Sequence, residues 1–266
     1  MLSGMSGEGL NLTVMLPTYQ IIKYRTLAEL RAEVRRGYLG ILWWIIEPLL
    51  YMSVFFALFA VGLRGGGVDA VPFLLTGLVT WKWFAVSVNK GVGILELNAN
   101  VIKQINLPIY IFPSVAVIVN TFKFLVVFLL LIVFLIFYTT PSYEAWWSIP
   151  VILAVQLVFI TSLTFWIAAI VPIIPDLQYV VPNCLLLLFF LSGVFFDIAT
   201  INEQIRPFLL LNPMALLIDS YRSVLVYGTN PNFVHLSLLF VFSVIFLYGG
   251  CLFLSRYAHE YPKIIR

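Results

Sequence analysis

The sequence predicts an all-α integral membrane protein with six transmembrane helices, an amphipathic interfacial helix before them and short re-entrant helices before the last span. Hydrophobic residues make up 62% of the 266 residues and charged residues only 10%, whereas soluble domains carry about 25% charged residues. A helix needs about 20 mostly apolar residues to cross the hydrocarbon core, where no water satisfies free backbone groups. Six segments meet this requirement, at residues 39–62, 71–93, 109–137, 149–171, 180–197 and 235–255.

The segment before the first predicted span, residues 18–36, is too charged to cross the membrane. One face of the helix predicted here carries Tyr19, Ile22, Leu27, Leu30 and Val34, interrupted by Lys23 and Glu33. The other face is mostly basic, with Arg25, Arg31, Arg35 and Arg36. Such a helix lies in the cytoplasmic interface. Its role is either to fix the orientation of the chain in the membrane or to bind the anionic headgroup of a substrate, because the planar guanidinium of arginine matches the geometry of phosphate.

The distribution of Lys and Arg predicts the orientation, because basic connections stay on the cytoplasmic side. Basic residues precede the first span, lie between the second and third spans, and follow the sixth. An even number of spans places all three groups in the cytoplasm, with a cytoplasmic N-terminus at 1–37, a transmembrane domain at 38–256 and a cytoplasmic tail at 257–266. The net charge of +3 reflects this asymmetry and does not indicate nucleic-acid binding.

Charged residues inside the spans are costly in lipid and are therefore candidates for function. Glu47 and Lys123 are expected either to pair with each other or to line a polar cavity, whereas Lys82 is expected to snorkel to the outer interface. Pro48 removes a backbone hydrogen bond, so the first span should bend there. Contact with lipid explains most of the aromatic residues. A minority of the aromatic residues are hypothesised to line a conduit, because their flat ring faces can contact sugars.

Residues 208–227 are apolar, but Asn212-Pro213 interrupts them and Asp219 and Arg222 follow. We interpret them as short interfacial or re-entrant helices. The sequence has no GxxxxGK[ST] loop for ATP, no HExxH pair for zinc and no acidic cluster for a metal with a diphosphate. Catalysis, a metal site and a resident cofactor are therefore not expected in this chain. Cys184 and Cys251 lie in apolar runs and fit packing roles.

The connection at residues 91–108 mixes apolar and amide side chains. Ile94, Leu97, Val101 and Ile105 have helical spacing. We therefore expect a short amphipathic helix that docks on a cytoplasmic partner.

Three groups of residues then occur in order along the chain. They are Tyr38-Leu39-Gly40-Ile41-Leu42-Trp43 with Ile46-Glu47-Pro48-Leu49, then Asn100-Val101-Ile102-Lys103 with Leu107-Pro108, and finally Asn212-Pro213-Met214 through Tyr221-Arg222 to Gly228 and Pro231. As an ordered set they resemble the permease subunit of polysaccharide-exporting ABC transporters. This is the type 2 class, which includes O-antigen, capsule and teichoic-acid exporters.

The resemblance implies a homodimer bound to two separate ATP-binding subunits, which hold ATP and Mg²⁺, and a lipid-diphosphate-linked glycan moved outward across the bacterial inner membrane. It implies ATPase coupling at Asn98, Asn100, Lys103, Gln104 and Asp176, although Pro175-Asp176 stands where the family often has Arg-Asp. It implies a headgroup gate at the end of the interfacial helix, with Arg31, Arg35, Arg36, Gly37 and Tyr38. The candidates for the translocation path are Trp43, Glu47, Tyr51, Phe55 and Lys123.

Three other functions were weighed against this one. A drug or lipid exporter of the same broad class would share the six spans and the coupling connection. A proton-coupled secondary transporter would use Glu47 and Lys123 as its relay and need no ATPase. A membrane transferase acting on polyprenyl diphosphates would need a metal-binding acidic cluster, which the sequence lacks.

Overall fold

The computed structural model describes residues 17–35, 40–57, 70–105, 107–138, 143–198, 201–202, 204, 209 and 211–265. Within these residues the chain forms helices joined by turns, and no strand is present. The α-helices are α1 (Thr18–Arg35), α2 (Trp43–Phe56), α3 (Ala70–Leu97), α4 (Ala99–Gln104), α5 (Ile111–Tyr138), α6 (Ile149–Ile170), α7 (Leu177–Leu191), α8 (Pro213–Leu225), α9 (Phe233–Arg256) and α10 (Tyr261–Ile264). The all-α prediction is confirmed for this part of the chain.

In the described ranges, four helices are long and apolar enough to cross a membrane, namely α3, α5, α6 with the 3₁₀ turn before it, and α9. Their bounds agree closely with the second, third, fourth and sixth predicted spans. The fifth predicted span corresponds to α7, which is apolar but shorter. α2 lies within the first predicted span, and residues 58–62 of that span are outside the described residues. The count of six spans therefore stays a prediction.

The fifth predicted span ends too late, because α7 stops at Leu191 rather than at residue 197. The chain turns at Gly193, whose φ of +71° is a left-handed conformation that residues with a Cβ rarely adopt. Ser192 lies in the same turn and donates a hydrogen bond of 2.6 Å from its hydroxyl to the carbonyl oxygen of Leu188. The residues after this turn are also apolar, so the hydropathy stays high and does not mark the end of α7.

α3 is the central helix and packs against α5, α6, α7 and α8. Its approach to α6 is close, since a Cβ on Gly91 would lie 3.0 Å from the carbonyl oxygen of Thr164. In the same interface, Gln156 donates a hydrogen bond of 3.0 Å from Nε2 to the carbonyl oxygen of Thr80. Small residues and buried polar bonds join membrane helices in this way, because apolar side chains alone gain little over contact with lipid.

The interruption at Asn212-Pro213 marks the beginning of α8. Oδ1 of Asn212 accepts a hydrogen bond of 3.0 Å from the backbone N–H of Met214, which caps the helix. Nδ2 of Asn212 donates to Oγ of Ser192 at 2.8 Å and so ties α8 to the end of α7. Pro213 takes the first helical position, where its missing N–H costs nothing. The re-entrant position of α8 in a membrane stays a prediction.

Arg222 holds α8 against the rest of the bundle and is only 3% exposed. Its Nη1 and Nη2 donate to the carbonyl oxygens of Gly193 and Val194 at 2.6 and 2.7 Å. Its Nε donates to the carbonyl oxygen of Phe73 at 3.0 Å. Gly77 leaves space for the guanidinium, because a Cβ there would lie 2.6 Å from Nη2. Arg222 therefore joins α8 both to the start of α3 and to the turn after α7.

Apolar side chains form a buried cluster at the same end of the bundle as α4, and we call it the α4-end cluster. It includes Ile94, Ala99, Ile102, Ala169, Leu254 and Tyr261. Tyr261 is fully buried and donates its hydroxyl to the carbonyl oxygen of Ala169 at 2.9 Å. Burial raises the pKa of Tyr261 to about 12. The predicted tail therefore folds back onto the bundle through α10.

Candidate functional site

The predicted interfacial helix, α1, packs along α5. The apolar contacts join Ile21, Ile22 and Leu30 to Ile111, Val115 and Val119. Two residues of the predicted apolar face, Tyr19 and Leu27, do not pack on the bundle and are 66% and 40% exposed; the position of this face in a membrane interface stays a prediction. The side of α1 that faces the bundle instead includes the buried Thr26 and several charged side chains with partners. Hydropathy alone assigns such charged residues to the outside.

Two glutamates attach this side of α1 to the transmembrane helices. Glu29 lies with Oε1 3.7 Å from Nζ of Lys90, near the end of α3. Glu33 forms an ion pair with Lys123 of α5. Residues four apart share a helix face, which is why both glutamates reach the bundle. Glu33 interrupted the apolar face in the sequence, and its ion pair explains that interruption.

Arg25 lies one turn before Glu29 and connects α1 to the segment that contains α4. Its Nη2 donates to Oδ1 of Asn98 at 2.7 Å, and its guanidinium carbon lies 4.6 Å from the centre of the Phe112 ring. Burial lowers the pKa of Arg25 from its ordinary value, and the Glu29 carboxylate partly offsets this effect. Arg25 thus contacts Asn98 and Phe112, whereas the sequence only placed it on the mostly basic face of the helix.

The predicted headgroup gate is only partly described. Arg31 and Arg35 are exposed on α1 and accessible to an anionic group. Arg36, Gly37 and Tyr38 lie outside the described residues. The role of these five residues at a lipid headgroup stays a prediction.

The predicted coupling segment forms the short helix α4. Ala99 and Ile102 are buried in the α4-end cluster, while Asn100, Lys103 and Gln104 are exposed. The predicted apolar docking face is divided, because Ile94 is buried whereas Leu97 and Ile105 are 75% and 53% exposed. α4 thus presents polar side chains together with two flanking apolar residues.

Asn98 and Asp176 have different surroundings from the exposed residues of α4. Oδ1 of Asn98 accepts from Arg25, and Nδ2 of Asn98 donates to the carbonyl oxygen of Ile94 at 2.7 Å. The Asn98 side chain is thus engaged within the chain. Asp176 is exposed in the turn after α6, and Ala169 near the end of α6 belongs to the α4-end cluster. The two predicted coupling contacts therefore lie at the same end of the bundle.

The candidates for the translocation path begin on α2. Trp43 is 47% exposed. Glu47, Tyr51 and Phe55 belong to α2, but their side chains are outside the described part of the structure. Lys123 pairs with Glu33 and lies with Nζ 5.9 Å from the ring centre of Trp44.

Lys123 also lines a cavity of about 510 Å³, which we call the α2/α3/α5/α7 cavity after the helices around it. Its aromatic residues are Trp44, Trp81, Trp83, Phe124 and Phe189. Its polar residues are Lys82, Asn89, Asn120 and Lys123. Lys82, which was expected at the outer interface, thus lies beside the same cavity as Lys123.

Arg222, Tyr261 and Asn120 have structural surroundings that the sequence analysis did not predict. Arg222 and Tyr261 depend on carbonyl oxygens far away along the chain, and no local pattern shows such partners. Asn120 did leave a signal, since it is an uncharged polar residue in an apolar run, three positions before Lys123. A search for charges alone passes over it.

Comparison with known proteins extends over most of the chain. The model of the family described as ABC-2 type transporter matches residues 22–226. The chain is 31% identical over 244 residues to the O-antigen export system permease protein RfbA of Myxococcus xanthus, which covers 89% of this chain and 92% of that protein. It is 26% identical to a protein of the same name from Klebsiella pneumoniae, with coverages of 93% and 95%. It is 26% identical to the polysialic acid transport protein KpsM of Escherichia coli, with coverages of 84% and 88%.

Proposed function

Because the chain belongs to the ABC-2 type transporter family, we propose that it is the channel-forming permease subunit of an ATP-driven exporter of lipid-linked, O-antigen-like polysaccharide. The observation that carries this proposal is the similarity to O-antigen export permeases over nearly the full length of both chains. The cargo moves from the cytoplasmic to the outer face of the bacterial inner membrane. The chain performs no catalysis itself.

The working assembly is a homodimer with two copies of a separate ATP-binding subunit, which carries ATP and Mg²⁺. α4 supports this arrangement, because Asn100, Lys103 and Gln104 are exposed at the end predicted to be cytoplasmic. Asp176, in a turn at the same end, is the second contact.

The substrate enters beside α1. Arg31, Arg35 and Arg36 attract the lipid diphosphate by charge-assisted hydrogen bonds. ATP binding then changes the distance between the two α4 helices of the dimer. Arg25 supports a connection between these events, because its hydrogen bond to Asn98 joins α1 to the residue before α4.

Deleting the gene in its own host tests the function. We expect surface polysaccharide to disappear and lipid-linked glycan to accumulate inside the cell. The full-length chain should restore export and should co-purify with an ATP-binding subunit. Normal surface polysaccharide in the deletion strain, together with export of a lipid or drug, would favour the drug or lipid exporter. Activity driven by a proton gradient without any ATPase would favour the secondary transporter.

A further inference from the structure

The tail that follows α9 supplies a hydrogen-bond donor at the end of α6. The N–H of Ile173 donates to the carbonyl oxygen of Ile170 at 2.9 Å, rather than continuing the helix with a bond to Ala169. The preceding residue, Pro172, has no N–H. The carbonyl oxygen of Ala169 accepts instead from the hydroxyl of Tyr261 at 2.9 Å. Tyr261 thus pairs with a carbonyl that the end of a helix leaves without a backbone donor.

The same tail packs against α4. α10 is in contact with α4, and both Tyr261 and Ile265 belong to the α4-end cluster together with Ile102 of α4. Tyr261 is fully buried and Ile265 is 3% exposed. Removal of these side chains from water favours the docked tail. The tail is therefore joined to α4 by apolar packing and to α6 by the hydrogen bond of Tyr261.

α4 depends on such packing for its position. It is only six residues long, and a helix of this length is not stable in isolation. Arg25 of α1 holds one end of this segment through Asn98, whereas α10 packs against the helix itself and also reaches α6. The tail therefore joins the two segments that carry the predicted coupling residues, which are α4 and the turn after α6 with Asp176.

We propose that α10 positions α4 relative to the end of α6, so that the two contacts of the ATP-binding subunit move together, and this inference rests on the proposed function. When the tail is docked, a displacement of α4 by the ATP-binding subunit is passed to α6 through Tyr261. When the tail is undocked, α4 moves without α6. ATP is then still bound and hydrolysed, but less of the movement reaches the transmembrane helices.

Two adjacent isoleucines of the tail give a matched pair of variants. Ile265 is 3% exposed and belongs to the α4-end cluster, whereas Ile264 is 41% exposed. Limited proteolysis of the assembled exporter measures how often the tail undocks. Ile265→Ser should raise the rate of tail cleavage at least about tenfold, because a buried apolar side chain is lost. Ile264→Ser should leave this rate unchanged.

Export per ATP hydrolysed tests the positioning role, measured in proteoliposomes that contain the assembled exporter and lipid-linked glycan. Ile265→Ser should still assemble and hydrolyse ATP, while export per ATP falls at least about twofold as the undocked population rises. Ile264→Ser should match the wild type. A loss of stability alone would lower the amount of complex but not this ratio.

Tyr261→Phe provides a second test that keeps the aromatic ring and removes only the bond to Ala169. It should lower export per ATP in the same direction, and it decides the question if Ile265→Ser does not assemble. Wild-type export per ATP in an undocked variant would overturn the inference, and so would equal tail cleavage in Ile265→Ser and Ile264→Ser. A wild-type complex that exports no lipid-linked glycan would instead refute the proposed function.

Discussion

Replacing Asn98 by Leu should separate ATP hydrolysis from export. Asn98 is the residue before α4, and its side chain accepts a hydrogen bond of 2.7 Å from Arg25 of α1. The substitution removes this bond and the bond from Nδ2 of Asn98 to the carbonyl oxygen of Ile94, but it leaves the exposed residues of α4 in place. We expect the ATP-binding subunit to bind and hydrolyse ATP, while α1 follows the movement of α4 less closely.

The size of the effect follows from the burial of the pair. A hydrogen bond to a charged group contributes about 1.5–3 kcal/mol when it is well buried. Arg25 and Asn98 are both half-buried, so solvent screening reduces this contribution to about 1–2 kcal/mol. Since about 1.4 kcal/mol is a tenfold change, local opening of α1 should become about 5- to 30-fold more frequent.

Hydrogen exchange of α1 amides in the assembled exporter measures this opening, and export per ATP hydrolysed measures its consequence. Both should change in Asn98→Leu and in Arg25→Leu, and the double variant should be little worse than either single one. Asn100→Leu is the matched control, because Asn100 is exposed on α4 and its loss should leave α1 exchange unchanged. Additive effects in the double variant, or unchanged export per ATP, would refute the link.

Three further predictions concern other parts of the structure. Arg222→Lys should lower the free energy of unfolding by about 2–4 kcal/mol, because one ammonium group cannot replace a guanidinium bound to three carbonyl oxygens. The melting temperature in detergent measures this loss, and Gly77→Ala should lower it as well. An unchanged melting temperature in Arg222→Lys would contradict the role of the guanidinium. Tyr261 has a pKa raised by burial to about 12, so its neutral form stabilises the docked tail below about pH 10 and this contribution is lost as the pH rises towards 12. Proteolysis of the tail should therefore increase over that pH range in the wild type, and Tyr261→Phe should abolish the dependence; an identical pH profile in Tyr261→Phe would exclude Tyr261 as its source. Charge reversal at Arg35 and Arg36 should reduce export while the complex still assembles and binds ATP. The control is Arg256→Glu, which reverses the charge of an exposed arginine at the end of α9 and should leave export unchanged. Equal export by all of these variants would contradict a role of Arg35 and Arg36 at the headgroup.

The sequence predicted the long helices well, because a membrane span depends on composition over many neighbouring residues. α3, α5, α6 and α9 all lie close to their predicted positions. The end of α7 was missed, since a turn at one glycine with positive φ does not change the mean hydropathy.

Contacts between distant residues were harder to predict. Glu33 and Lys123 each stood out as charges in apolar surroundings, yet their pairing depends on how α1 lies against α5. The sequence instead offered Glu47 as a partner for Lys123. The contact of Arg25 with Asn98 was missed for the same reason, because helical spacing gives the faces of a helix but not its neighbours.

The bonds of Arg222 also bear on how the chain is made. Its acceptors are the carbonyl oxygens of Phe73, Gly193 and Val194, and all three residues precede it in the chain. During synthesis these acceptors are therefore already present when α8 leaves the ribosome. The guanidinium can be received by a preformed site rather than held unpaired in hydrocarbon, where an isolated charge is costly. The order of residues along the chain thus favours insertion of α8 after the helices that hold it.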